Sequence, residues 1–282
     1  MSSPDSSESV EYLLLGHVSR DLSPEGPRLG GAVAYSGLTA RALGMSVGVV
    51  TAAGTDVALG PLAGLQLHCL PSAQTTTFKN VYVEGTRRQQ VIATATPLSP
   101  GDVPPGWLGA GCVHLAPIAD ELPLDAGRAF PSARLFCTPQ GWLRRWDAEG
   151  HVSPHAWQRL LPALHGVQAA VLGWEDIDHD IEAARTLAGI VPILVLTAGP
   201  SGADLFCEGA SAHLEAPQAR QVDPTGAGDV FAAAFFVGLL RRESPLAAAR
   251  RAAAIAARSV EAVGLDGVPS ASQLAAFEAT AP

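Results

Sequence analysis

Short, unbroken apolar runs recur along the chain, each closed by a glycine or a polar loop. Tyr12–Leu15, Ser46–Val50, Cys112–Ala116, Leu135–Thr138, Ala169–Gly173 and Ile193–Thr197 are of this kind. Runs this short, without polar alternation, predict strands buried on both faces of a parallel sheet. Between them the spacing changes. Ala34, Leu38 and Ala42 recur at helical intervals, which predicts a helix from Gly30-Gly31 to about Leu43, capped by Gly44. Pro245 opens an alanine-rich helix to about Ala262. Thr75–Val83 and Arg87–Ala95 are rich in β-branched and aromatic residues around Gly85, which predicts a hairpin. Strands alternating with helices make this an α/β protein, a three-layer αβα sandwich around a mostly parallel sheet.

One stretch stands apart. Gln221-Val-Asp-Pro-Thr-Gly-Ala-Gly-Asp229 runs directly into Val230-Phe-Ala-Ala-Ala-Phe-Phe-Val-Gly-Leu-Leu240. Pro224 forces a turn, Gly226 and Gly228 free its backbone, and the residues after Asp229 read as a helix apolar nearly all round. A glycine turn opening a buried helix offers unpaired N–H groups and the positive end of the helix dipole, which suits a phosphate. A carboxylate there would repel that phosphate. The conflict is resolved if Asp229 takes a proton from an incoming hydroxyl while the N–H groups hold the transferring group. The plainer alternative is a glycine turn with Asp229 as a helix-start residue.

Asp223-Pro-Thr-Gly-Ala-Gly-Asp229 resembles the signature of the ribokinase-like (PfkB) family of sugar and nucleoside kinases, and the likeness extends over nearly the whole chain. The resemblance implies a single domain over 1–282 that transfers the γ-phosphoryl group of ATP to a hydroxyl. Asp229 is then the catalytic base, and Gly226, Ala227 and Gly228 form the anion hole. It implies a small β lid with elements within about 17–30 and 74–95. The segment Asp21–Gly30 is shorter than in ribokinases, so a reduced lid is expected. Asp21 follows the first strand at the spacing of the family's sugar-binding Asp, and Gly30-Gly31 matches its substrate-binding pair. Tyr35 stands where a ribokinase has Asn, which argues against ribose. Gln140 and Arg144, in the Trp- and Arg-rich stretch after the fourth run, are the counterparts of a substrate-reaching element. Thr197, Gly199 and Gly202 resemble the nucleotide turn, and the helix from Pro245 would wall the adenine. Glu175 and Asp176 fall where the family ties magnesium, although Gly173 replaces the usual Asn. Asp223 falls at a monovalent-cation position. Within the family, Leu29–Tyr35, Thr75–Phe78, Gln140–Asp147 and Gln221–Thr225 resemble plant-type myo-inositol kinases, which implies a cyclic polyol acceptor. A nucleoside kinase, or a non-catalytic ligand-binding or regulatory protein on the same fold, is the alternative.

Composition narrows the rest. The 282 residues carry a net charge of −9, which speaks against a nucleic-acid or an anionic-membrane partner. The first residues lack the basic and apolar regions of a secretory signal, and no run is long enough for a membrane helix. Cys69, Cys112, Cys137 and Cys207 are scattered, as in a reducing cytosol. A cytoplasmic monomer or homodimer is expected, with a small hydroxylated acceptor as its partner. Lys79 is the only lysine and lies in Phe-Lys-Asn, so no Walker P-loop exists. No GxSxG elbow, GxGxxG turn, HExxH or zinc spacing occurs either.

Overall fold

The structure, a computed structural model, describes residues 9–83 and 86–280. The start of the chain and the expected Gly85 turn lie outside the described residues. In order the elements are β1 (Tyr12–Leu15), β2 (Ser19–Ser23), β3 (Gly26–Gly30), α1 (Ala32–Ala42), β4 (Val47–Ala53), β5 (Gln66–Pro71), β6 (Thr76–Val83), β7 (Thr86–Ala93), β8 (Cys112–Leu115), β9 (Arg134–Cys137), β10 (Arg144–Trp146), β11 (Val152–Pro154), β12 (Val167–Gly173), α2 (Ile181–Ala188), β13 (Ile193–Thr197), β14 (Ala203–Cys207), β15 (Ala210–Leu214), α3 (Ala227–Leu240), α4 (Pro245–Ser259) and α5 (Ala271–Thr280). All six apolar runs form strands of one sheet.

That sheet has the order β15-β14-β13-β12-β9-β8-β1-β4-β5. From β13 to β5 every pairing is parallel, while β14 and β15 are antiparallel additions at one edge. The Tyr12–Leu15 run shows why such strands carry no polar alternation. Tyr12 and Leu14 enter a core shared with α1, α3 and α4; Leu13 and Leu15 enter a second core with α2 and Trp142. Both faces are covered, so both sets of side chains must be apolar. None of the described helices is long and apolar enough to cross a membrane.

A second sheet, β3-β2-β6-β7, forms the lid. The expectation of a reduced lid needs correcting. A β-hairpin reverses with two residues in its turn; here Pro24 and Glu25 suffice between β2 and β3. The short segment therefore still supplies two strands, and the lid has four. Asp21 lies in the middle of β2 opposite Arg28 of β3. The β10–β11 hairpin joins the lid from below, where Val91 N–H donates to the Gly150 carbonyl at 2.8 Å.

β1 lies between β4 on one side and β8 on the other. Ligands of open α/β sheets bind at such a switch point, beyond the carboxyl ends of the strands. One buried carboxylate braces that end. Glu121 accepts from the backbone N–H groups of His17, Ile118 and Ala119, tying the loop after β1 to the loop after β8. Its isolated place in the sequence carries no signal of this role.

Candidate active site

Two paired glycines and one buried tyrosine set the local geometry. A Cβ at Gly30 would lie 2.3 Å from Oδ2 of Asp21, so the missing side chain makes room for that carboxylate. Gly31 has φ +96°, and a Cβ there would lie 2.7 Å from the His17 carbonyl and the Ser19 nitrogen. The glycine pair thus lets β2 press against the start of α1. Tyr35, read as an aromatic wall for the acceptor, is only 3% exposed and packs beneath Gly226. Burial, then the charges of Asp21, Asp223 and Asp229, push its hydroxyl well above the usual range, so it stays protonated.

The turn before α3 is held from several sides. Ser36 Oγ on α1 donates to the Asp229 carbonyl at 3.1 Å. Asp223 accepts from Thr225 N–H with one oxygen and from Gly264 N–H with the other, at 2.9 and 3.0 Å. Burial alone would raise its pKa, but the hydrogen bonds from Thr225 and Gly264, with Arg28 nearby, hold it below the usual range. Both oxygens at the expected cation position thus already clamp loops together. Ala227 departs from expectation as well: its N–H donates to the Pro224 carbonyl at 3.2 Å, closing the turn rather than facing an anion. The N–H groups of Gly228 and Asp229 belong to the first helical turn and lack intrahelical acceptors. A Cβ at Gly228 would meet nothing within 4 Å, so this side of the turn is open.

Asp229 is pushed up to about 7, by burial first. Arg144 opposes that rise, and the nearby charges of Asp176 and Asp21 add to it. A carboxylate at this value exists in both forms near neutral pH, which suits a general base. Gln140 Nε2 donates to Asp229 Oδ1 at 3.4 Å, Arg144 donates to Gln140 Oε1 at 3.0 Å, and Arg144 also donates to the Ile118 carbonyl at 3.0 Å. Gln140, expected to reach the substrate, is thus bonded to Asp229, and Arg144 reaches Asp229 through Gln140.

Cavities open on either side of the turn. One, about 580 Å³, is lined by Thr197, Gly199, Gly202, Pro224, Ala227, Gly228 and Phe231, and by Ala253, Ala256, Ala257 and Val260 along α4. None of its lining residues carries a charge. The other, about 840 Å³, lies between the lid and the turn and takes in Asp21, Arg28, Tyr35, Lys79, Asn80 and Asp223. Arg28 and Asn80 were missed in the sequence, where only strand alternation in the lid could have pointed to them. Asp176 faces the centre closely enough to act on Asp229, and its Oδ2 accepts from Gly173 N–H at 2.8 Å. A Cβ at residue 173 would lie 3.2 Å from that oxygen, so glycine gives this carboxylate its place. Glu175, beside it, is exposed.

A nine-stranded sheet, a four-stranded lid and a glycine turn opening a buried helix together define a ribokinase-like fold. Residues 162–271 match the pfkB family carbohydrate kinase. Inositol 3-kinase of Oryza sativa subsp. japonica is 28% identical over 92% of this chain and 70% of its own. A pyrophosphate-dependent kinase in the ribokinase family, complexed with a pyrophosphate analog and myo-inositol, superposes with a TM-score of 0.80 at 22% identity, over 94% of this chain and 99% of that one. Arabidopsis thaliana ribokinase complexed with ribose and ATP superposes at 0.73 and 18% identity, over 95% and 98%. The chain thus has the ribokinase-like fold, and its 162–271 segment is similar to the pfkB carbohydrate kinases.

Proposed function

We propose that this carbohydrate kinase moves the γ-phosphoryl group of ATP to one hydroxyl of a cyclic polyol such as myo-inositol. The observation that carries the reading is the place of Asp229 at the N-terminus of α3, next to a turn whose Gly228 lines the uncharged cavity and whose Asp223 and Thr225 line the other cavity with Asp21. The acceptor occupies the lid-side cavity, where Asp21 takes hydrogen bonds from neighbouring hydroxyls. Asp229 accepts the proton of the attacking hydroxyl as its oxygen bonds to the γ-phosphorus, and ADP leaves. The N–H groups of Gly228 and Asp229, with the helix dipole, hold the transferring phosphoryl group. Magnesium would be held by Asp176 through water, since a carboxylate oxygen is the ligand this hard cation takes, and it would offset the charge of the donor phosphates. A monovalent cation at Asp223 would have to share oxygens already used by Thr225 and Gly264.

The choice of donor rests on the 580 Å³ cavity. The alanine, proline and valine walls suit a nucleoside base, an apolar surface that a bare pyrophosphate would leave uncovered. The decisive experiment measures phosphorylated product with myo-inositol, ribose and cytidine as acceptors, each with ATP and with pyrophosphate as donor. Turnover of myo-inositol with ATP is expected to exceed every other pairing. Pyrophosphate as the better donor would overturn the donor assignment, and ribose or cytidine as the best acceptor the polyol assignment.

A further inference from the structure

The stretch Pro139–Trp146 is built more rigidly than a substrate-reaching loop requires. Gly141 N–H donates to the Pro117 carbonyl at 2.9 Å, and a Cβ at Gly141 would lie 2.3 Å from the Pro117 carbonyl carbon. Trp142 is fully buried, and its Nε1 donates to the Leu122 carbonyl at 2.7 Å. The turn is thus locked onto the loop after β8. Arg144, at the start of β10, has its guanidinium carbon 5.6 Å from the ring centroid of Phe78 on lid strand β6. Phe78 is itself buried. One side chain therefore touches the lid, the Ile118 carbonyl and Gln140, and Gln140 touches the base.

We propose that Arg144 and Gln140, braced by Phe78, are positioning residues that orient the Asp229 carboxylate and carry a cation's influence to it at one remove. The inference rests on the reading of Asp229 as the base.

The chemistry of the amide supports it. Between a cation and an anion, a Gln side chain satisfies both in one orientation only, oxygen to the guanidinium and NH2 to the carboxylate. A direct Arg–Asp pair lowers a carboxylate's pKa by roughly 1–3 units and occupies its oxygens. Such a base would be too weak near neutral pH. With Gln140 in between, Asp229 receives a donor that fixes its rotamer and a charge that offsets part of its burial, and it keeps its basicity. The charged and titratable groups facing it are Arg144 from β10, Asp21 from β2, Asp176 from the turn after β12 and Tyr35 from α1. Arg144 supplies the positive charge among them. Removing it leaves burial and two like charges unopposed, so the base should ionise at higher pH.

The test is the pH profile of kcat/KM for the acceptor at saturating ATP, in the parent, Asp229→Asn, Arg144→Met, Arg144→Lys, Gln140→Glu and Phe78→Leu. Arg144→Met should move the acid limb up by about one pH unit, with acceptor KM changed less than kcat. Arg144→Lys should restore most of that shift. Gln140→Glu keeps the size of the side chain and sets a second carboxylate against Asp229, so its limb should also rise. It keeps the test decisive if Arg144→Met does not fold. Phe78→Leu should shift the limb in the same direction, by less. An acid limb that stays at the parent position in Arg144→Met or Gln140→Glu, with the effect confined to acceptor KM, would make these residues substrate contacts and overturn the inference alone. A limb that persists in Asp229→Asn would remove the base reading and this inference with it.

Discussion

The ring of Tyr35 fills the space that a side chain at Gly226 would need. A Cβ there would lie 2.3 Å from Tyr35 Cδ1, and Gly226 has φ +79°. Two separate costs thus fall on any substitution, backbone strain and overlap with a buried ring. Gly226→Ala should destabilise the protein by about 2–4 kcal/mol, read as a fall in Tm or in denaturation midpoint. In a double-mutant cycle, Gly226→Ala should cost less in a Tyr35→Ala background than in the parent, because the overlap is gone and the strain remains. A Gly226→Ala protein as stable as the parent would contradict this packing.

Gly228, two residues on, behaves differently. Nothing lies within 4 Å of a Cβ there, and the backbone needs no left-handed conformation. Gly228→Val should fold with near-parental Tm and yet lose ATP-dependent turnover, because the side chain occupies the approach to the phosphate site. Full activity in the folded variant would show that no phosphate comes close to this residue.

Asp229→Asn separates chemistry from stability. Turnover should fall by roughly 10²–10⁴, the usual effect of losing a general base, with ATP affinity little changed. The stability effect has the opposite sign. Asp229 titrates near about 7 when folded and near about 4 when unfolded, so the folded state holds the proton longer. Its carboxylate therefore destabilises progressively as pH rises from about 4 through 7, and the penalty is complete above that. Asp229→Asn should be more stable than the parent at pH 8, by about 1–3 kcal/mol after allowing for its partial exposure, with the gap closing towards pH 4. Thermal melts across that range check it; a gap that widens towards low pH would refute the sign.

Asp21 provides the test of the acceptor cavity. Asp21→Ala should weaken the acceptor by about 1–3 kcal/mol for each hydroxyl left without its partner, while the KM for ATP stays put. The substitution also empties the space beside Gly30, where the carboxylate now fits. Unchanged acceptor kinetics would move the polyol out of the lid-side cavity.

Much of this was legible in the chain before any coordinates. The buried runs are strands because side chains at i and i+1 of a doubly covered sheet both need apolar surroundings, as Leu14 and Leu15 do in their separate cores. The seven residues ending at Asp229 mark the turn and the helix start, since proline and glycine act on their own backbone and need no distant partner. The glycine pair at Gly30 and Gly31 was also readable as a close approach. What it approaches was not: the space is filled by Asp21, together with the backbone of His17 and Ser19.

The sequence by itself determined the features that local chemistry dictates: the apolar runs, the turn at Pro224–Gly228 and the buried helix that follows. Only the tertiary structure decided which groups act on one another across the fold. A two-residue turn let the short Asp21–Gly30 segment complete two lid strands. Gln140 bonds to Asp229 and Arg144 to Gln140, the Ala227 N–H closes on the Pro224 carbonyl, and Tyr35 both lines the lid-side cavity and supports the turn. The physical reason is the same in each case. A side chain's partner, and so its burial and its charge state, is set by segments that lie far off in the chain and meet only when the sheet is assembled.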